Sequence, residues 1–320
     1  MADKLITIIL PLWDREVYTS TWIKENVFDD FNYIIADGSK SEKNKKIFEA
    51  FGPRQNIKYI RFPFDRDIKT YIKKMTNVSS QVKTPYVMTC DNDDFLNYKV
   101  IKKYIDVLEK NPEYGFANGV IKNIRAVKKI SVNHGAYYHL CFGRLDTLNL
   151  HNKKGEAAIR NLFRPYKHLW YAIYRTNIYK RIWQEIKSSG IKNVFLMEYF
   201  HAQLSFCFAR LYADNSVHYI RLSNPISNAA TLFTYKNEAS TSGIYFDAVY
   251  RSQVLKMAKI ISRLTSLDIR TIYSEYIYFY SHPLRGARLR DLIKNMFLGR
   301  FLNAIAPPLK IKYIKKYLHG

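Results

Sequence analysis

Short apolar runs, each closed by a turn-forming or acidic residue, alternate with amphipathic stretches through about residue 125 of this chain. Residues 5–10 are β-branched and almost continuously apolar, so they read as a strand buried on both faces, and Pro11 stops it. Similar runs recur at 32–36, 57–62, 85–90 and 114–124. Residues 19–28, 43–51 and 69–82 read as helices between them. So does the stretch that follows residue 94, where Val100, Ile101, Tyr104, Ile105 and Leu108 share one face before Asn111-Pro112. Strands and helices in this order predict a mostly parallel sheet with flanking helices and right-handed crossovers. The C-terminal ends of such strands lie along one edge, where open α/β sheets bind their ligands.

Three turns fall on that edge. Asp91-Asn92-Asp93-Asp94 ends the fourth strand. Crowded carboxylates repel one another unless a cation sits among them. Mg²⁺ or Mn²⁺ favours one or two carboxylates plus phosphate oxygens, so this turn suits a metal–diphosphate pair, although acidic turns are also common in plain solvent. Asp37-Gly38-Ser39 ends the second strand, where the carboxylate could accept a bond from a base or ribose and Gly38 would allow close backbone approach. Pro11-Leu12-Trp13-Asp14-Arg15 follows the first strand and would border the same ligand.

Beyond about residue 131 the pattern loosens. Residues 134–165 have weak periodicity and read as substrate-facing loops. A strand is expected at 170–174 and helices at 177–187 and 198–210. A further strand is expected at 217–222, then helices at 245–263 and 269–280. From Arg285 onward there are nine Lys/Arg and one acid, with Leu289, Leu292, Ile293, Met296, Phe297 and Phe301 at helical spacing. This tail suits an interfacial amphipathic helix on an anionic membrane surface, or a basic helix packed on its own domain.

The formal charge of +24, from 51 Lys/Arg against 27 acids, implies a polyanionic partner without choosing among nucleic acid, lipid headgroups and phosphorylated substrates. Cys90, Cys141 and Cys207 are odd in number and widely spaced, which argues against a disulfide framework or a zinc site and fits a cytoplasmic setting. The apolar stretch at 5–12 is too short for a signal peptide, and no run approaches the roughly 18 apolar residues of a spanning helix. No Walker A loop, G-x-G-x-x-G or G-x-S-x-G is present.

Residues 6–11, 34–39 and 86–94, together with Leu108-Glu109-Lys110-Asn111-Pro112-Glu113, resemble the family-2-like inverting glycosyltransferases of bacterial surface-polysaccharide type. The resemblance is close over about 4–125 and looser to about 222. It implies a GT-A (Rossmann-like) catalytic domain over 1–225, with a nucleotide-sugar half at about 1–125 and an acceptor half at about 126–225. A helical C-terminal region over 226–320 would end in the basic tail 285–320. The donor would be a nucleotide sugar, UDP-linked by default, and the acceptor lipid-linked or an oligosaccharide.

The resemblance also assigns roles. Asp37 would contact the base and Asp91 the ribose or metal shell, while Asp93 would be the main ligand of Mn²⁺ or Mg²⁺. Pro11, Trp13, Arg15, Gly38, Lys74 and Asn92 would complete the donor site, with Lys73 and Asn77 beside Lys74. Glu198 matches the place of the general base that deprotonates the acceptor hydroxyl, although the second acid usual beside it is replaced by Tyr199. His134, His168, Trp170 and Arg175 would shape the acceptor side, and His201 or His218 could add a metal ligand. The enzyme would lie peripherally on the inner face of the cell membrane, with no nucleic acid as partner. A sugar-phosphate nucleotidyltransferase would share the sheet and acids, but its glycine-rich loop after strand one is missing. A nucleic-acid-binding protein would need a basic groove lined with stacking aromatics.

Overall fold

The computed structural model describes residues 5–131, 135–162, 167–223 and 248–281. The strands β1 (Ile6–Leu12), β2 (Asn32–Asp37), β3 (Ile57–Arg61) and β4 (Tyr86–Thr89) alternate with helices α1 (Glu16–Asn26), α2 (Lys43–Phe51) and α3 (Ile68–Gln81). All four strands are parallel and lie in the order β3-β2-β1-β4. Ile6, Ile8, Ile9 and Leu10 of β1 are wholly buried, as its unbroken apolar run requires of a strand covered on both faces. Burying each such side chain stabilises the fold by about 1.5–3 kcal/mol. Leu12 pairs with Asp37, so the turns after β1 and β2 open on the same edge.

The second half of the sheet is mixed. After β5 (Phe95–Leu96) and α4 (Tyr98–Lys110) comes the long β6 (Tyr114–Ser131). α4 presents the apolar face read from the sequence: Ile101, Tyr104, Ile105 and Leu108 are buried, and Asn97 caps its start by accepting from Val100 N. Strand β8 (Ile173–Arg175) sits between β4 and β6, antiparallel to both. The run at 114–124 is thus a strand, but not the next parallel neighbour of β4. A three-residue insert brought from sixty residues downstream leaves no local signal of that displacement.

Residues 135–162 also differ from the expected loops. Strand β7 (Gly135–Leu145) forms a hairpin with β6, followed by a 3₁₀ turn at Leu148–Leu150 and helix α5 (Gly155–Leu162). β7 lies off the main strand path and pairs with β6, and such an edge position imposes little apolar alternation on the sequence. His134, residues 224–247 and the tail 285–320 lie outside the described residues.

Helices α6 (Thr176–Ser189) and α7 (Val194–Phe208) follow β8, and β9 (Arg210–Ser223) then runs parallel to β6 and antiparallel to β5. α7 starts four residues before the expected position because the apolar run Val194–Met197 continues the helix, and Asn193 caps it by accepting from Leu196 N at 3.0 Å. Helices α8 (Ala248–Leu264) and α9 (Ile269–Ser281) pack together, and α8 rests on α6 and α7. No helix among the described residues is long and apolar enough to cross a membrane.

Candidate active site

A cleft opens at the C-terminal edge of β1 and β4. Pro11, Trp13 and Arg15 enter it from the loop after β1, and Asp91 and Asn92 from the turn after β4. Glu198 reaches it from α7, Trp170 and Tyr171 from the segment before β8, and Arg221 from β9. The turns after β1 and β4 and the α7 carboxylate, far apart in sequence, therefore share one cavity.

The acidic turn is built asymmetrically. Asp91, Asp93 and Asp94 each bring a carboxylate oxygen within 4.8 Å of the others. Asp94 is buried, and both its oxygens accept bonds, from Tyr219 OH at 2.7 Å and from Leu222 N at 2.8 Å. Burial, reinforced by Asp93 and Asp91, pushes its carboxyl well above the usual range. Tyr171 OH donates to Asp91 Oδ2 at 2.6 Å while its ring stacks on Tyr219 at 4.0 Å. Burial, then the charge of Asp93, raises Asp91 as well. With Asp94 committed to β9, Asp91 and Asp93 are the hard-oxygen pair that fits Mg²⁺ or Mn²⁺.

The loop after β1 is held against this turn. Asp14 and Arg15 both lie in the left-handed region, at φ 48° and 59°. Such a pair is strained and persists only where neighbours fix it. Here Asp14 N donates to Ser39 Oγ at 2.8 Å, Asp14 Oδ1 accepts from Lys40 N at 3.1 Å, and Asn92 Nδ2 donates to Arg15 O at 3.2 Å. The result aims the Arg15 guanidinium at Asp93, with 2.5 Å between Nη2 and Oδ2. Trp13 stacks on Phe64 at 6.2 Å.

Glu198 is partly buried. The enclosed position lifts its carboxyl to about 7, with Arg221 opposing the shift and Asp91 adding to it. A carboxylate tuned near neutrality is what a general base needs. The Arg221 guanidinium feels the combined field of Tyr171, Asp94, Glu198 and Asp91, which holds it cationic. The cleft can therefore receive a cation at one wall, an anionic group near Arg15 or Arg221, and a proton at Glu198.

Other expected residues are placed differently. Asp37 is 0% exposed and does not line the cleft. Its oxygens are engaged by Arg61 Nη1 at 2.7 Å, by the Tyr59 hydroxyl and by Ser39 N at 2.8 Å. Gly38 lies against Asp65, whose carboxylate would be 2.3 Å from a Cβ at that position. Lys74 is also internal, ion-paired with Asp65 and donating to Leu12 O at 3.2 Å, whereas Lys73 and Asn77 are exposed. Asp65 itself lines the cleft beside Ile68 and Tyr71.

Trp170 lines the cleft and packs on Trp183 and His201. His201 is buried among these rings, and burial lowers it to about 3. His218 accepts from Gly119 N at 3.3 Å and faces Tyr171 O at 3.2 Å through Nε2, which fixes the neutral form with its proton on Nε2. Burial lowers this ring to about 4. His218 thus orients Tyr171, and Tyr171 orients Asp91; the only described His/Cys/Asp/Glu cluster suited to a metal is the Asp91–Asp93–Asp94 group.

His168 is partly buried outside the lining of the cleft, lowered to about 4 by burial and then by Arg221. Arg175 is at the wrong end of the sheet for an acceptor contact. It pairs in register with Tyr86, at the start of β4, and donates to Tyr114 O at 2.9 Å and Leu108 O at 2.5 Å. It clamps the end of α4 to the start of β6.

Sequence reasoning overlooked Arg221, Tyr171 and Asp65. Arg221 left one trace, a lone charge inside the apolar strand pattern Tyr219-Ile220-Arg221-Leu222. A charge in a buried strand needs a polar cavity or partners, and the cleft supplies both.

The family profile described as Glycosyl transferase family 2 matches residues 8–183. No curated protein sequence matches the chain. Among solved structures, the fold is similar to S. aureus TarS 1–349, with a TM-score of 0.52 and 13% identity over 86% of this chain and 88% of that one. It is also similar to TarS 1–349 in complex with UDP-GlcNAc, with a TM-score of 0.56 and 12% identity over 90% and 77% of the two chains. The mannosyltransferase PcManGT from Pyrobaculum calidifontis, in complex with GDP-Man and Mn²⁺, gives a TM-score of 0.50 and 11% identity over 98% and 79%. At these identities the likeness speaks for the fold.

Proposed function

The chain belongs to glycosyltransferase family 2, and from that premise we propose that it transfers a sugar, with inversion at the anomeric carbon, from a nucleoside-diphosphate donor to a lipid-linked or oligosaccharide acceptor of a surface polysaccharide. The observation that carries this reading is the meeting of Glu198 and the acidic turn in one cleft. Inverting transfer requires a base on the acceptor side and charge neutralisation on the leaving-group side.

Asp93 and Asp91 would hold Mn²⁺ or Mg²⁺, which when bound neutralises charge on the leaving diphosphate. Tyr171 and His218 keep the Asp91 carboxylate in position. Arg15, next to Asp93, receives a diphosphate oxygen, and Pro11, Trp13 and Asn92 border the donor. Glu198 takes the proton of the acceptor hydroxyl as its oxygen attacks the anomeric carbon. Trp170 offers a flat apolar wall to a sugar ring. Solved proteins of similar fold are recorded with UDP-GlcNAc and with GDP-Man and Mn²⁺, which supports a nucleotide-sugar donor and a divalent cation. The basic tail 285–320 would hold the enzyme on the anionic inner face of the membrane, where a lipid-linked acceptor resides.

The test is calorimetric titration of the full chain with UDP, GDP, dTDP and CMP, with and without Mn²⁺, on wild type and Asp93→Ala. Metal-dependent binding of one nucleotide, lost in the variant, is the expected result. A folded protein that binds none of them removes the donor site from this cleft. For the tail, deletion of residues 285–320 is expected to weaken binding to anionic vesicles and leave nucleotide affinity unchanged.

A further inference from the structure

Helix α8 carries Arg251, Lys256, Lys259 and Arg263 and no acidic residue. Its inner face is apolar: Val254, Met257, Ala258 and Ile261 are buried, and the helix rests on α6 and α7. At about 100° per residue, Val249, Ser252, Leu255, Lys256, Lys259 and Arg263 fall on the opposite arc, about 120° wide. Val249 is 57% and Leu255 39% exposed. Only five large apolar side chains are exposed among the described residues, and these are two of them. A third, Phe195, stands in the first turn of α7, just after the bond from Lys192 N to Gln253 Oε1 of α8 at 2.6 Å.

Arg263 is engaged by Glu185 of α6, at 2.7 Å to each carboxylate oxygen. Lys256 and Lys259 are exposed and form no ion pair with a described residue. Around the helix these two ammonium groups lie between Val249 on one side and Leu255 on the other. Cations flanked by apolar side chains suit a helix lying flat on a bilayer, where phosphates sit just above the acyl boundary. A second copy of the same face would set like charges against each other. A nucleic acid would leave Val249 and Leu255 unused, and this arc offers no aromatic ring for a base to stack on.

We infer that the outer face of α8 is a docking surface for an anionic lipid bilayer. Lys256 and Lys259 pair with lipid phosphates, and Val249 and Leu255 enter the headgroup boundary. The inference rests on the membrane reading proposed above and adds to the tail a second contact, one inside the folded domain. Two linked contacts bind more tightly than either alone. They also do what a tail cannot: α8 is packed on α7, so docking through it fixes the orientation of the helix that carries Glu198 relative to the bilayer.

The test is co-sedimentation of the full chain with phosphatidylcholine vesicles and with mixed phosphatidylcholine–phosphatidylglycerol vesicles. Lys256→Gln/Lys259→Gln is expected to bind the mixed vesicles about 10–30-fold more weakly, since each basic residue near an anionic surface is worth about fivefold. Val249→Ser/Leu255→Ser should weaken binding about 3–10-fold by removing the apolar flanks. Lys99→Gln/Lys110→Gln, at two exposed positions of α4, should change it less than about twofold, because charges far from the contact are screened. All three variants should keep the wild-type melt and nucleotide affinity. If both α8 variants bind as wild type does, or the α4 pair weakens binding as much, the α8 surface is overturned and the tail reading stands. Tighter binding of a single-stranded oligonucleotide than of mixed vesicles, lost in Lys256→Gln/Lys259→Gln, overturns it in favour of nucleic acid. A wild-type chain that ignores the mixed vesicles overturns the membrane reading itself.

Discussion

Arg15 Nη2 lies 2.5 Å from Asp93 Oδ2, so a side-chain cation already holds one oxygen of the carboxylate proposed above as a metal ligand. The two positive charges compete for Asp93 until a diphosphate gives Arg15 a second anionic partner. Arg15→Ala is therefore expected to bind Mn²⁺ alone about 3–10-fold more tightly, the equivalent of about 1 kcal/mol of relieved competition. The same variant should bind UDP with Mn²⁺ about tenfold more weakly, because a charge-assisted bond to phosphate is lost. Separate titrations with the metal and with nucleotide check both signs, and parallel changes would refute the competition.

Glu198→Gln retains the shape of the side chain and loses the base. Turnover should fall about 10²–10⁴-fold while UDP affinity stays within about twofold, if Glu198 serves the acceptor proton as proposed and not the donor. Single-turnover rates alongside nucleotide titration separate the two effects, and a near-normal rate would remove Glu198 from the chemistry.

The pH dependence has two consequences of opposite sign. The carboxyl of Glu198 is raised from 4.5 to about 7, mainly by burial. Only its deprotonated form accepts a proton, so kcat/KM should climb as pH rises through about 7 and then level off. Stability runs the other way. The folded state binds this proton more tightly than the unfolded chain, so its contribution is present below the unfolded value of 4.5 and is lost as pH rises through about 7. Glu198→Gln should thus be more stable than wild type at pH 8, by roughly 1–3 kcal/mol, with the gap closing near pH 4.5. Denaturant melts at the two pH values measure it.

Gly38→Ala would bring a Cβ to 2.3 Å from the Asp65 carboxylate. The paired Asp65 and Lys74 have little room to retreat, so the substitution should cost about 1–3 kcal/mol, as overpacking does. Nucleotide affinity should fall with it, since the displaced group lines the cleft. A thermal melt with a UDP titration reads both, and unchanged affinity would show that Asp65 is not part of the nucleotide subsite.

What could be read from the sequence was what local pattern records. The apolar run of β1 and the chain's turn from Cys90 into Asp91 were visible because strand burial and a polar stop leave contiguous marks. Glu198, singled out through the family resemblance, lines the cleft, although α7 begins earlier than expected because Val194, Leu196 and Met197 are buried in the same helix. Lys74 was expected in the donor site, yet it is internal, paired with an Asp65 that packs against Gly38. Arg221 and Tyr171 were hidden for a related reason. They reach the cleft only through the insertion of β8 between β4 and β6 and the pairing of β9 with β5 and β6, contacts that no local window contains.

The dependence of Asp94 on Tyr219 and Leu222 bears on how the enzyme is made. A ribosome releases the acidic turn more than a hundred residues before the strand that supplies its partners. Strands β1 to β4 are contiguous enough to assemble on a nascent chain, but Asp94 then remains a solvated, repelling charge beside Asp91 and Asp93. The bonds that fix Asp94 exist only once β9 is in place. A chain cut short before β9 would carry the recognisable acidic motif without the two bonds that fix the Asp94 carboxylate.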